Sequence, residues 1–248
     1  MRISTSYAEI AIDGRPMRTF VAAPADEGVY PGIAFYSDIF QLTDSTLRWV
    51  SRLASYGFVV AAPEIYYRIE EPGTVLEFDD AGKDRGQADV QALSAAEFDV
   101  DIAQLLAWLR GEPRVSDAPL GVAGHCTGGH LAFRAAFDPA VAATACWYPT
   151  GLADGVLGSD ADAGSLSRAA EIPGELLMIF GVADPHTPAA ARDVVRDALD
   201  EAGTRYEWIL VEGAEHAFGR DVGPRWDPSA TDEAMAATIA FFRRTLTA

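Results

Sequence analysis

Apolar residues recur along this chain in short runs that read as strands: Gly32-Ile33-Ala34-Phe35-Tyr36, Phe58 to Ala62, Pro119 to Ala123, Ala140 to Trp147, Leu176 to Phe180 and Tyr206 to Val211. The continuous run from Phe58 to Ala62 marks a sheet covered on both faces. Between them the spacing turns helical. Thr43 or Asp44 caps a predicted helix to about Tyr56, with Leu47, Val50 and Leu53 inward and Gly57 as its stop. Ile102, Leu105, Leu106 and Leu109 define a helix over Asp101 to Arg110, and His130 to Phe137 reads as another. Pro188 to Ala202 is next, with Val194, Val195, Ala198 and Leu199 inward and Gly203 closing it. Met235, Ile239, Phe242 and Leu246 share one stripe of a last helix over Ser229 to Leu246. Ala8 to Ile12 and Met17 to Ala22 alternate around Asp13-Gly14-Arg15-Pro16, the signature of a hairpin. Alternating strands and helices predict an α/β fold with a mostly parallel, doubly wound sheet and an N-terminal antiparallel hairpin. No linker or repeat interrupts it, so residues 1–248 are expected to form a single domain. Two stretches break the pattern. Pro63 to about Gln87 reads as a long loop with turns at Pro72-Gly73 and Asp79-Asp80-Ala81-Gly82, and Pro149 to Asp162 as a Gly- and Asp-rich loop.

Composition narrows the partners. The formal net charge is −18, with a single lysine, Lys83, among the cations. Such a surface repels nucleic acid and anionic membranes. The N-terminus lacks a signal-peptide core, and no apolar run approaches spanning length. Two cysteines, Cys126 and Cys146, make no disulfide framework, and a bridge between them would consume a thiol the chemistry needs. A cytoplasmic protein, monomeric or a small homo-oligomer, is expected.

The stretch that organises the chain is Gly124-His125-Cys126-Thr127-Gly128-Gly129, a strand-to-helix turn in the layout of a nucleophile elbow with cysteine in the serine's place. A buried packing cysteine and a phosphate-binding turn are alternative readings of that turn alone. Four candidate groups fall just after predicted strands: Asp38, Cys126, Asp184 and His216. Strand carboxyl ends are where ligands of such sheets collect. Nucleophile, acid, histidine is also the chain order of an α/β-hydrolase triad. In that reading Cys126 attacks a carbonyl, His216 shuttles the proton, and Asp184 fixes the imidazole. The amides of Thr127 and Ile39 are the candidate oxyanion donors. His186 is an alternative base. His125 is expected to point away and hydrogen-bond locally, and His130 to be structural. No ligand spacing suggests a metal.

These residues resemble the dienelactone hydrolases, through Ser37-Asp38-Ile39-Phe40, Pro63-Glu64-Ile65-Tyr66, the cysteine elbow, Gly181 to Pro185 and Gly213-Ala214-Glu215-His216-Ala217-Phe218. The resemblance implies an α/β-hydrolase fold and a cofactor-free lactonase acting on a small cyclic enol ester that carries a carboxylate. It implies arginines that grip that carboxylate: Arg220, and Arg85 or else Lys83. It also implies a carboxylate acting on the cysteine, where this chain has Asp38 in place of the family's Glu. Phe40, Trp147, Tyr148 and Phe218 match positions that line the pocket, with core packing as the alternative. A simple ester or thioester as substrate, or a non-catalytic ligand-binding relative, are the competing functions.

Overall fold

A computed structural model of the chain describes residues 1–247. Eight strands form one sheet in the order β1-β2-β4-β3-β5-β6-β7-β8. The strands are β1 (Ile3–Ile12), β2 (Arg15–Pro24), β3 (Gly32–Tyr36), β4 (Val59–Pro63), β5 (Leu120–His125), β6 (Val141–Trp147), β7 (Glu175–Gly181) and β8 (Arg205–Val211). β1 and β2 form the antiparallel hairpin, and β2 joins β4 antiparallel. From β4 to β8 every pairing is parallel. The helices are α1 (Asp44–Ala54), α2 (Asp80–Gln91), α3 (Ala95–Gly111), α4 (Thr127–Ala135), α5 (Ala189–Ala202) and α6 (Pro228–Leu246).

Strands β3 to β7 are covered on both faces, which is why they read as apolar runs, whereas β1 and β8 at the sheet edges are partly exposed. Alternate residues serve opposite layers. Ile33 and Phe35 pack with Trp49, Val50 and Leu53 of α1 and with Met235, Ile239 and Phe242 of α6. Ala34 and Tyr36 pack with Leu105 and Leu109 of α3 and Leu131 of α4.

The structure departs from the sequence expectations at several elements. β1 begins at Ile3, not Ala8; its early residues lie on an exposed sheet edge, so no buried face marks them. The segment expected as loop contains α2. Asp79, expected in a turn, is its N-cap, and its side chain accepts from the Gly82 amide at 2.7 Å. Only Gly82 and Gly86 of α2 are buried, so the helix has no apolar stripe to read. It docks by backbone approach instead: a Cβ on Gly86 would lie 2.5 Å from the Ile39 carbonyl oxygen. α3 starts at Ala95 through a Ser94–Glu97 capping box, earlier than Asp101. In α5, Val194 faces solvent and Arg192 is buried in its stead, donating to the carbonyls of Thr187 (2.6 Å) and Gly181 (3.2 Å).

A close main-chain approach is made at the elbow. A Cβ on Gly128 would stand 2.1 Å from the Tyr36 carbonyl oxygen and 2.3 Å from that of Ser37. Both are main-chain atoms at the end of β3 and cannot step aside. Gly128→Ala should therefore cost about 3 kcal/mol or more, lowering Tm by about 6–12 °C. Thermal denaturation checks this, and an unchanged Tm would mean that the approach is looser than described.

Candidate active site

The strand order reverses between β3 and β5, since β3 leads to β4 on one side while β5 opens the run to β8 on the other. Such a switch point leaves a crevice at the strand carboxyl ends. Asp38 and Ile39 come after β3 there, and Cys126 sits between β5 and α4. Asp184 and His216 come after β7 and β8. The amide of Ala183 donates to the Ala214 carbonyl at 3.0 Å, which ties the last two loops together.

Cys126 adopts φ 57°, ψ −121°, a conformation costly for any side-chain-bearing residue. Gln41, Tyr148 and Ala217, which border the same crevice in sequence, also have positive φ. His216 Nδ1 lies 2.7 Å from Asp184 Oδ2, and Asp184 Oδ1 accepts from the His186 amide at 2.7 Å. All three groups of the expected triad are buried. Burial would raise the Cys126 thiol pKa, but the charge and hydrogen bond of His216 outweigh it and hold the thiol below its ordinary value; Asp38 opposes and Thr150 assists. Burial likewise disfavours the charged imidazole of His216, yet the facing Cys126 and Asp184 push its pKa up to about 9. Asp184 resists burial through the His216 hydrogen bond and charge and stays below the usual carboxylate range. These shifts favour the thiolate form of Cys126 and the imidazolium form of His216.

The Gly128 contact sets the start of α4, which Thr127 opens, against the Tyr36–Ser37 backbone that leads to Ile39. Among the described residues, neither the Thr127 nor the Ile39 amide donates to a protein acceptor. Asp38 accepts from the Phe40 amide at 3.0 Å through Oδ1, and from Arg220 Nη2 and Nε at 2.8 and 3.2 Å through Oδ2. The Arg220 guanidinium also lies over the rings of Phe40 (4.8 Å) and Phe78 (4.4 Å). Arg85 is exposed and paired with Glu70 at 2.7 and 2.5 Å. Burial lowers the His186 pKa and the charge of His216 lowers it further; Asp184 opposes, and Arg225 and Lys83 contribute least.

Trp147, Tyr148 and Phe218 form an aromatic wall. Trp147 stacks on Phe218 with centroids 5.7 Å apart and donates from Nε1 to Thr238 of α6 at 3.1 Å. Tyr148 meets the His216 ring edge-on at 5.1 Å. Trp147 and Phe218 are wholly buried, so they back the imidazole from the core side. His186 contacts the His216 ring at 4.6 Å and lies toward solvent. His125 corrects one expectation: it points into a cage of Phe35, Trp49, Trp147 and Tyr148, and its Nε2 has no hydrogen-bond partner. Burial drives its pKa down to about 3, so the ring is neutral. His130 is structural, hydrogen-bonded at both ring nitrogens.

Sequence reasoning misses three groups around Cys126 and Arg220. Thr150 places Oγ1 3.7 Å from Cys126 Sγ. Tyr66 is buried close enough to Asp38 and Cys126 for both charges to raise its pKa further, after burial itself. Phe78 covers Arg220. Tyr66 stands just past β4 in the Pro63-Glu64-Ile65-Tyr66 motif, which is a signal; Thr150 and Phe78 lie in aperiodic loops and have none. Among the described residues, no group of three or more His, Cys, Asp or Glu side chains could hold a metal ion. A cleft of about 130 Å³ lined by Ser4, Trp108 and Arg114 lies apart from this site and contains neither cysteine nor histidine.

Comparison with known proteins bears on this geometry. The model of the dienelactone hydrolase family matches residues 17–246. A Saccharomyces cerevisiae protein provisionally named carboxymethylenebutenolidase is 32% identical, covering 98% of this chain and 90% of its own. A Synechocystis protein provisionally given the same name is 26% identical, covering 98% of both. Among solved structures, a Klebsiella pneumoniae protein provisionally named dienelactone hydrolase superposes with a TM-score of 0.87 at 22% identity, over 98% of this chain and all of the other. A dienelactone hydrolase-like promiscuous phosphotriesterase from metagenomic libraries gives 0.80 at 17% identity, over 98% and 99%. The fold is that of the α/β-hydrolases, and by the extent of the family match and the full-length likeness to the yeast protein, this chain belongs to the dienelactone hydrolase family.

Proposed function

We propose that this protein is a cysteine-dependent hydrolase that opens a small carboxylate-bearing lactone of the dienelactone type through a thioester intermediate. Membership of the family supports a hydrolase of small lactones or esters. The observation that carries the finer reading is the His216 ring, hydrogen-bonded to Asp184 on one side and pairing with the Cys126 sulfur on the other.

The geometry dictates the steps. The Cys126 thiolate attacks the lactone carbonyl carbon, and the carbonyl electrons move onto oxygen, where the Thr127 and Ile39 amides receive them. Collapse breaks the ring C–O bond. His216 gives its proton to the departing oxygen, leaving a thioester on Cys126. Neutral His216 then takes a proton from water, whose oxygen attacks the thioester. The thiolate leaves, and the carboxylic acid formed gives its remaining proton to solvent and departs as the carboxylate. Asp184 keeps Nδ1 protonated and Nε2 free for the transfers, and stabilises the imidazolium between them.

Arg220 is the cation at hand for a substrate carboxylate. Asp38 and the two phenylalanine rings fix its plane, which lowers the ordering cost of a bidentate grip. Asp38 is therefore the anchor of Arg220, with both its oxygens engaged.

Three measurements test the proposal. Cys126→Ala should lower kcat on a dienelactone by about 10⁴-fold or more with an unchanged circular dichroism spectrum; retained turnover would end the mechanism. Iodoacetamide should alkylate Cys126 at pH 6.5 at least about tenfold faster than an ordinary thiol, because the thiolate persists below the usual thiol range. The same pairing keeps His216 protonated until pH rises through about 9. Cys146, buried with its pKa raised, should stay unlabelled in the folded protein, and mass spectrometry distinguishes the two. Arg220→Gln should raise KM for carboxylate-bearing lactones by about 10–100-fold and affect p-nitrophenyl acetate far less; equal losses on both would remove Arg220 from anion recognition.

A further inference from the structure

We infer that Thr150 is a second group acting directly on the reacting sulfur: its hydroxyl donates to the Cys126 thiolate, and a buried relay running Asp99–Arg134–Ser165–His130 holds it in place. The inference rests on the proposed cysteine chemistry and goes beyond the triad.

Thr150 meets Cys126 twice. Its amide donates to the Cys126 carbonyl at 3.2 Å, and its Oγ1 lies 3.7 Å from Sγ. A thiolate has no proton to give, so the hydroxyl must be the donor. The residue's own carbonyl is held from the other side by His130 Nδ1 at 3.1 Å. A carbonyl only accepts, so Nδ1 carries the proton. In the neutral ring Nε2 must then accept, and the hydroxyl of Ser165 stands 2.7 Å from it. Ser165 Oγ in turn accepts from Arg134 Nη1 at 2.8 Å, and Arg134 also donates to the Ala163 carbonyl at 2.9 Å. Arg134 finally forms a two-pronged pair with Asp99 at 2.7 and 2.5 Å.

Every donor direction along this path is thus fixed by chemistry. A guanidinium cannot accept at one end, and a carbonyl cannot donate at the other. His130, Ser165 and Arg134 are buried, while the Asp99 side chain reaches solvent. Burial also lowers the pKa of His130 to about 3, consistent with the neutral ring that the bond pattern requires. A fully satisfied polar path of this kind rigidifies what it touches. Here it ends on the one residue of the Pro149–Asp162 loop whose side chain contacts the sulfur. The other ionisable groups facing Cys126 are His216, Asp38, Tyr66 and Tyr148. None of them belongs to the relay, so changes to the relay leave those groups in place.

The test is the pH profile of Cys126 alkylation by iodoacetamide, with kcat and KM on a dienelactone measured beside it, for wild type, Thr150→Val, Thr150→Ser and Ser165→Ala. Thr150→Val keeps the shape and removes the donor. It should slow alkylation at pH 6.5 by about three- to tenfold by raising the thiol midpoint, and lower kcat with little change in KM. Thr150→Ser should restore both to within about twofold of wild type. Ser165→Ala, remote from the sulfur, should shift the profile in the same direction by less, and combined with Thr150→Val should add nothing. A wild-type profile in Thr150→Val overturns the assignment, as does a Thr150→Ser variant as impaired as the valine. A Ser165→Ala variant that loses Tm but titrates like wild type overturns the relay. If wild-type Cys126 itself titrates as an ordinary thiol, the nucleophile reading falls and this inference with it. That result is distinct from a depressed wild-type midpoint that the valine variant leaves unmoved.

Discussion

A sulfur must project above the sheet on a backbone that residues with side chains avoid, and most of this molecule serves that constraint. The turn at Cys126 is held open from beneath by the Gly128 contact with the end of β3 and from above by the Thr150 amide. Strain of this kind persists only where the surroundings over-determine it. The same contact sets the start of α4 against the end of β3, so one close approach helps to fix where Cys126 stands.

Charge is arranged differently inside the crevice from outside it. The surface is strongly acidic, yet the crevice gathers His216 and Arg220. His216 is hydrogen-bonded to Asp184, and Arg220 lies between two rings against Asp38. Buried pairs keep their strength in salt, where surface pairs fade.

The parallel sheet and the four strand-end groups were legible in the sequence because unbroken apolar runs announce strands, and residues at the carboxyl ends of such strands lie near the site. α2 was not legible. Its inward residues are glycines, and it binds by backbone proximity, which leaves no hydrophobic period to detect. Val194 looked inward by spacing, but Arg192 took the buried side because two carbonyls stood ready to receive its guanidinium. His125 was expected to find a partner and instead relies on ring contacts alone. Thr150 acts at a distance in sequence from everything it touches, through a loop whose shape depends on α4 and on residues near Ser165. Local pattern carries no record of such long-range assembly.

The way α2 is attached has a consequence for access. Cys126 is only 9% exposed, so any acyl group must be admitted by displacement of something nearby. α1 and α3 each bury six or more residues, whereas α2 buries two glycines and is tied down by Arg85–Glu70 and by the Tyr66 hydroxyl on the Gly86 carbonyl. An element with so little apolar surface in contact is the least costly part of this wall to swing outward. Because Gly86 rests on Ile39, any movement of α2 would be felt at the segment that follows β3.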